Sequence, residues 1–356
     1  MRYRWANCLS MGLSMSQLSI QDNKWLKPSQ FDGQKFINLS PITDNGHYMA
    51  RENLSQAMFD RVKPTQPKKH SIPLLEITTA QLKGLKPQDT HFFKLGHSSL
   101  LLWIDGFFWL IDPVFSKRVS PFQFAGPKRF HKAPIEIEDL PPIKGVIISH
   151  DHYDHLDKKS IKQLAKKVEN FYVPLRVDEH LGRWGIDARK IHQFDWYDSM
   201  QIGKTRLTAT PSQHNSGRRM ADQFKTLWAS WVIKGEHHNI FYCGDSGYFD
   251  GFKKIGDQFG PFDISFIENG AYSKLWLDLH MIPKQSVQAH LDLRAKSLIP
   301  IHNCTFDLSV HAWYDPLEQI AKYAMQSGAD LRVPKMGEAV NLNAIKPLNH
   351  WWQELI

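Results

Sequence analysis

Cysteine is scarce in this chain: three residues in 356, Cys8, Cys243 and Cys304, widely spaced and odd in number. That scarcity excludes a disulfide framework, and the lack of a Cys-x-x-Cys pair excludes a thiolate zinc knuckle. A reducing compartment is expected, with the cytoplasm the simplest. No apolar run reaches the ~18 to 20 residues that a bilayer-crossing helix needs, which argues against an integral membrane protein. Arg2 and Arg4 ahead of Trp5 to Met15 have the outline of a secretory signal. Asn7, Ser10 and Ser14 interrupt that run and no small-residue cleavage site follows, so an uncleaved N-terminus is expected. Acidic residues are also in deficit. Thirty-six Asp and Glu face 44 Lys and Arg, and the net charge of +8 favours anionic partners, phosphates or acidic lipid surfaces, without choosing among them.

What the chain has is length, apolar content and histidine. With 356 residues, 42% of them hydrophobic, it can bury a sizeable core. Residues 1–70 are polar and end in a Pro- and Lys-rich stretch, Lys63 to His70, which reads as a partly irregular N-terminal arm ahead of a domain at 71–356. From Phe92 onward short β-rich runs appear: 92–95, 100–104, 107–111, 146–149, 206–210, 230–234, 240–243, 264–268 and 298–301. Asp105-Gly106 between two of them predicts a two-residue hairpin turn. Helices are expected at 158–168 with Asp157 as N-cap, from Pro283 to about Lys296, and at 316–325 with Asp315 as cap and Gly328 past the end. The pattern predicts layered α and β structure, most simply two sheets face to face with helices outside.

The strongest local signal follows the run Val146 to Ser149, where His150, His152, Asp154 and His155 arrive within six residues. A solvated loop accounts for a few polar residues, but not for three imidazoles interleaved with carboxylates directly after an apolar strand. Alternate residues of an extended segment face the same way, so His150 and His152 can share one ion while Asp154 and His155 turn towards a second. Two ions need more ligands. His214, Asp245 and His302 each follow a predicted strand. Taken singly, each has an ordinary explanation as a hydrogen-bonded histidine or a turn-forming aspartate; together they supply the missing coordination.

This His-x-His-x-Asp-His pattern resembles the metallo-β-lactamase superfamily. The resemblance implies a four-layer αββα sandwich holding two Zn²⁺, the first on His150, His152 and His214, the second on Asp154, His155 and His302, with Asp245 bridging. Leu95-Gly96-His97-Ser98-Ser99, Asp112-Pro113-Val114-Phe115, Phe124 to Phe130 and Gly244 to Tyr248 narrow the likeness towards N-acylphosphatidylethanolamine-hydrolysing phospholipase D. That branch implies phosphodiester hydrolysis by a dizinc-activated hydroxide, with Asp154 and Asp245 carrying the catalysis and Tyr153 and His280 orienting substrate. His97 and Asp112 read as supports beneath the ligands, and Cys243 and Cys304 as buried packing. Lys117 to Lys132 mixes cations with aromatics and suggests contact with a phospholipid surface. The partners expected are a phospholipid or other phosphodiester substrate, peripheral contact with a membrane and a second copy of the chain. No nucleic acid is expected, because no large insertion separates Asp245 from His302. Competing readings are a lactonase or nuclease on the same fold, or a non-catalytic metal-binding scaffold.

Overall fold

The structure is a computed structural model that describes residues 28–42 and 61–356. The signal-like start, Cys8 and most of the expected arm lie outside the described residues. Within the arm, Gln30–Phe31 (β1) and Phe36–Ile37 (β2) pair as a short hairpin.

Every predicted β run falls on a strand of one of two seven-stranded sheets. The first contains β3 (His91–Gly96), β4 (Ser99–Ile104), β5 (Phe107–Ile111), β6 (Ile143–Ile147), β7 (Val168–Pro174), β8 (Ile191–Phe194) and β16 (Ala339–Asn341), in the order β16-β3-β4-β5-β6-β7-β8. The second contains β9 (Ser199–Ile202), β10 (Thr205–Thr210), β11 (Ser230–Lys234), β12 (Asn239–Tyr242), β13 (Phe262–Glu268), β14 (Ala295–Ile301) and β15 (Asp330–Leu331), neighbours in that same order. Asp105 and Gly106 both take positive φ, 53° and 80°, and join β4 to β5 by the tight turn their identities predict. Both sheets change from antiparallel to parallel pairing part-way across, at β5–β6 and at β12–β13. Parallel neighbours need long crossovers, and these bring in most of the helices.

Thr79–Lys83 (α1), Lys158–Leu164 (α2) and Asp178–Arg183 (α3) cover the first sheet, where Leu82, Ile161, Leu164 and Leu181 pack on Phe93, Leu101, Leu110 and Val146. Gly251–Phe259 (α4), Pro283–Asp292 (α5) and Asp315–Ser327 (α6) cover the second, through Phe252, Ile255, Val287, Leu317 and Ile320 against Phe241, Ile267 and Leu298. Between the sheets Trp109, Ile111 and Tyr172 meet Trp231, Ile240, Tyr242 and Phe266. The layer order is helix, sheet, sheet, helix, the expected αββα sandwich.

Differences from the sequence reading are local. Asp157 caps α2 by accepting from the N–H groups of Lys159 and Ser160, but the helix stops at Leu164 because Val168 enters β7. Asp315 is not the cap of α6: Tyr314 holds that position, and the Asp315 carboxylate accepts the Tyr272 hydroxyl instead. Helix α4 is not among the expected helices, although Phe252, Ile255 and Phe259 stand at helical spacing along it. Gly256 is needed there, because a Cβ would stand 2.2 Å from the Asp292 carbonyl oxygen of the neighbouring helix.

Tryptophans tie this frame to the ends of its strands. Trp231 donates from Nε1 to the Ile148 carbonyl at 3.0 Å across the sheet interface, and Trp228 donates to Ser212 at 2.9 Å. Strand β6, which leads to His150, also passes close to Trp109 and Tyr172: a Cβ on Gly145 would lie 2.6 Å from the first ring and 2.5 Å from the second. Gly145→Ala is therefore expected to destabilise the protein by about 1–3 kcal/mol through overpacking, read as a lowered midpoint in urea denaturation.

Candidate metal centre

All seven of the candidate ligands lie at one end of the sandwich. Strand β6 delivers His150 to His155 from the first sheet, while β10, β12 and β14 deliver His214, Asp245 and His302 from the second. Two groups of four side chains present donor atoms within 4.8 Å of one another, His150, His152, His214 and Asp245, and His97, Asp154, His155 and His302; Asp245, His280 and His302 form a smaller third.

Asp245 sits between them. Its Oδ2 is 3.8 Å from Nε2 of His150 and of His214 on one side and 3.1 Å from Nε2 of His302 on the other, while Oδ1 is 3.1 Å from Nε2 of His155. His150 Nε2 and His214 Nε2 lie 2.9 and 3.3 Å from His152 Nδ1. On the second side, Asp154 Oδ2 is 3.2 Å from His302 Nε2 and 3.7 Å from His155 Nε2. Donors at 2.0–2.1 Å around a tetrahedral ion stand about 3.3 Å apart, close to these separations.

The hydrogen bonds behind the ring of donors decide which nitrogens face inward. His214 donates from Nδ1 to the Leu279 carbonyl at 3.0 Å, which leaves Nε2 as a lone pair towards the centre. His155 Nδ1 donates to Asp112 Oδ2 at 2.7 Å and so turns Nε2 towards the centre. His155 Nε2 and Asp245 Oδ1 are buried and close together, yet neither makes a hydrogen bond, and the same is true of both ring nitrogens of His302. Buried polar atoms without partners are costly, and a shared cation relieves all of them at once. The residues fit a pair of metal ions.

Electrostatics agree. Burial holds the pKa of His150, His152 and His214 below the usual imidazole range, so these rings are neutral and able to ligate. Around the second group burial also acts to lower His155, but the carboxylates of Asp245, Asp154 and Asp112 overcome it and raise its pKa well above the ordinary range. His302 is raised to about 10, burial again being outweighed, here chiefly by Asp245. Burial opposes ionisation of Asp154 and Asp245, yet the adjoining imidazoles, His155 foremost, keep both well below the carboxylate norm.

Asp112, expected only to steady a loop, holds a ligand directly. Its fully buried carboxylate accepts from His155, from Ser149 N at 2.7 Å, from Ser149 Oγ at 2.6 Å and from Tyr242 Oη at 2.7 Å. His97, also read as a support, brings Nε2 to 3.0 Å from Asp154 Oδ2 and belongs to the second donor group. His280 stands beside the centre, grouped with Asp245 and His302, and its Nδ1 is 3.0 Å from Glu268 Oε1. Glu268 escaped the sequence reading although it carries the signal that singled out Asp112, an acid closing an apolar strand. Tyr153 lies to one side, its ring covered by the Arg218 guanidinium at 3.9 Å. Above the donors a cavity of about 280 Å³ is lined by His152, Asp154, His214, Asp245, His280 and His302 and by Ala271, Trp276, Leu279 and Leu308. Cys243 and Cys304 are buried, and burial pushes both thiols up, Cys304 to about 11, which leaves them protonated and inert.

A family model described as a beta-lactamase superfamily domain matches residues 109–303, more than half of the chain. The chain belongs to the metallo-β-lactamase superfamily. It is a metal-dependent hydrolase with a binuclear type of site. An uncharacterized protein of Mycobacterium tuberculosis is 40% identical over 72% of this chain and 70% of its own length. A Caenorhabditis elegans protein named N-acyl-phosphatidylethanolamine-hydrolyzing phospholipase D 1 is 34% identical over 67% of this chain and 70% of its own. In fold, the chain is similar to a metallo hydrolase of the archaeon Ignicoccus hospitalis, with a TM-score of 0.55 at 20% identity, covering 71% of this chain and 98% of that one. Among the described residues no helix is long and apolar enough to cross a membrane.

Two outcomes follow for this superfamily site. The carboxylates of Asp245, Asp154 and Asp112 raise the pKa of His155, and chiefly Asp245 raises that of His302, so a metal ion competes with protons at these rings, and metal loading is expected to release protons and to strengthen as pH rises from 6 to 8. Calorimetry in buffers of different ionisation enthalpy reads that release. Asp112→Asn leaves His155 without its anionic acceptor and is expected to weaken metal binding about 10- to 100-fold in chelator competition.

Proposed function

We propose that the protein is a zinc-dependent phosphodiesterase of the phospholipase D type, acting on N-acylphosphatidylethanolamine-like phospholipids. The observation that carries this reading is a pair of donor groups meeting at Asp245 on the floor of a cavity with apolar walls. In it His150, His152 and His214 hold one ion, Asp154, His155 and His302 hold the other, and Asp245 serves both. Two zinc ions so held supply water activation near neutral pH and Lewis-acid stabilisation of charge on a phosphoryl oxygen.

The chain's own residues set the substrate. Asp154 and Asp245 neutralise only half the charge of two divalent ions, so the floor of the cavity stays electropositive and draws in a phosphodiester anion. His280, steadied by Glu268, faces the same floor and is assigned to orienting the phosphate. Water oxygen bonds to phosphorus as the bond from phosphorus to the N-acylethanolamine oxygen breaks, one proton of the water passes to that departing oxygen, and N-acylethanolamine and phosphatidate are the two products. A cavity of about 280 Å³ takes the headgroup and leaves the acyl chains to run out along Trp276, Leu279 and Leu308.

Lipid at a surface is the natural source of such a substrate. Phe122 and Phe124 are 57% and 82% exposed with their rings 5.3 Å apart, and Lys117, Lys128 and Lys132 around them reach solvent, a composition suited to peripheral membrane contact. Arg129 of that segment serves the interior instead, donating to the carbonyls of Val114 and Leu95. The similarity to the Caenorhabditis elegans protein supports the choice of lipid.

A panel of N-acylphosphatidylethanolamine, simple phosphodiesters and acyl lactones tests the reading. Zinc-loaded protein is expected to release phosphatidate from the first, and Asp245→Asn to lower that rate by at least about 100-fold. Turnover of lactones alone would overturn the phospholipid assignment, and full activity in Asp245→Asn would overturn the role of that carboxylate.

A further inference from the structure

His214 leaves the second sheet four residues after β10 ends, beyond the ladder that pairs β10 with its neighbours. Its ring is oriented through the Leu279 carbonyl, and the residue before it is held by Gly247, which donates to the Gln213 carbonyl at 2.8 Å. The backbone of His214 itself is gripped from elsewhere. Asn38 accepts from His214 N at Oδ1, 3.0 Å, and donates from Nδ2 to His214 O, 2.7 Å, across 176 positions of sequence. One side-chain amide thus makes the two bonds that an adjacent strand would make.

We infer that Asn38 is a positioning residue for the metal centre, and that the segment at 28–42 completes the site formed by His150, His152 and His214. The segment is fastened well enough to do this. Phe36 is buried in the core between the sheets and its N–H donates to the Phe224 carbonyl at 2.8 Å. Ser29 donates to Asp195 at 2.9 Å, and the Ser40 carbonyl accepts Gln213 Nε2 at 3.0 Å. Asn38 lies outside the residues that the family model matches, so the centre depends on chain beyond that match. His214 is 1% exposed, and removing the amide strands two backbone groups where water scarcely reaches. The ring then loses its aim, and the ion that shares His214 is held less tightly than the ion on Asp154, His155 and His302.

The inference rests on the ligand assignment proposed above, and the test separates the two. Zinc affinities of both sites are measured by chelator competition in wild type, Asn38→Ala, Asn38→Leu, Phe31→Ala and His214→Ala. Asn38→Ala and Asn38→Leu are each expected to weaken one zinc about 10- to 100-fold and leave the other unchanged. Phe31→Ala, which removes the ring packed against Phe36 without touching His214, is expected to keep both affinities. Leu restoring the wild-type value would mean that Asn38 only fills space and would overturn the inference, as would equal losses in Phe31→Ala. If Asn38→Ala does not fold, the Leu and Phe31 variants carry the comparison. A His214→Ala protein that binds both ions normally sinks the ligand assignment itself; loss there with none in the Asn38 variants sinks only the inference.

Discussion

Imidazoles and carboxylates packed at about 3 to 4 Å in a buried place are tolerable only if something positive sits among them, and this constraint shapes the whole end of the molecule. The imidazoles hold Asp245 and Asp154 well below the usual carboxylate range despite burial, and the carboxylates in turn raise His155 and His302, so the pocket calls for positive charge. Metal ions answer that demand better than protons, because one ion satisfies several donors at once. Asp112 sets the orientation of His155, and through Ser149 it fixes the turn from which His150 to His155 depart.

The backbone bears part of the cost. His97, Asp112 and His302 take positive φ, 52°, 41° and 65°, a region that residues with a Cβ rarely occupy. All three stand at the ends of strands where the chain turns sharply to aim a side chain at the centre. Gly270 lets the loop bearing His302 come close, since a Cβ there would lie 1.6 Å from the His302 carbonyl oxygen. Such strain persists because the surrounding sandwich over-determines it: Thr305 Oγ1 accepts from His97 N, and Lys94, buried beneath the loop, donates to Pro300 O and Asn303 Oδ1 at 3.0 and 2.8 Å.

Two sheets also explain why the site is mixed in origin. The first contributes a dense local cluster and the second contributes single residues from three strand ends, so the centre forms only when the sheets are stacked in register. Trp231 and Tyr242 cross that interface with hydrogen bonds to Ile148 and Ser98 and keep the register. The apolar walls of the cavity come from the segments that follow β13 and β14, which lets substrate preference change while the donor set stays fixed.

By itself the sequence determined the local features: strand runs, the Asp105-Gly106 turn, the cap at Asp157 and the residue types able to ligate. These are legible because alternation, turn chemistry and capping act over a few residues. Four donors within six residues were legible for the same reason, and His214, Asp245 and His302 only as residues that follow strands. Tertiary structure alone decided that those three stand beside His150 to His155, that Asp112 touches His155, that Glu268 steadies His280, and that Asn38 reaches His214. The physical reason is that strand pairing and sheet stacking join residues far apart in the chain, and no local periodicity encodes which of them will meet.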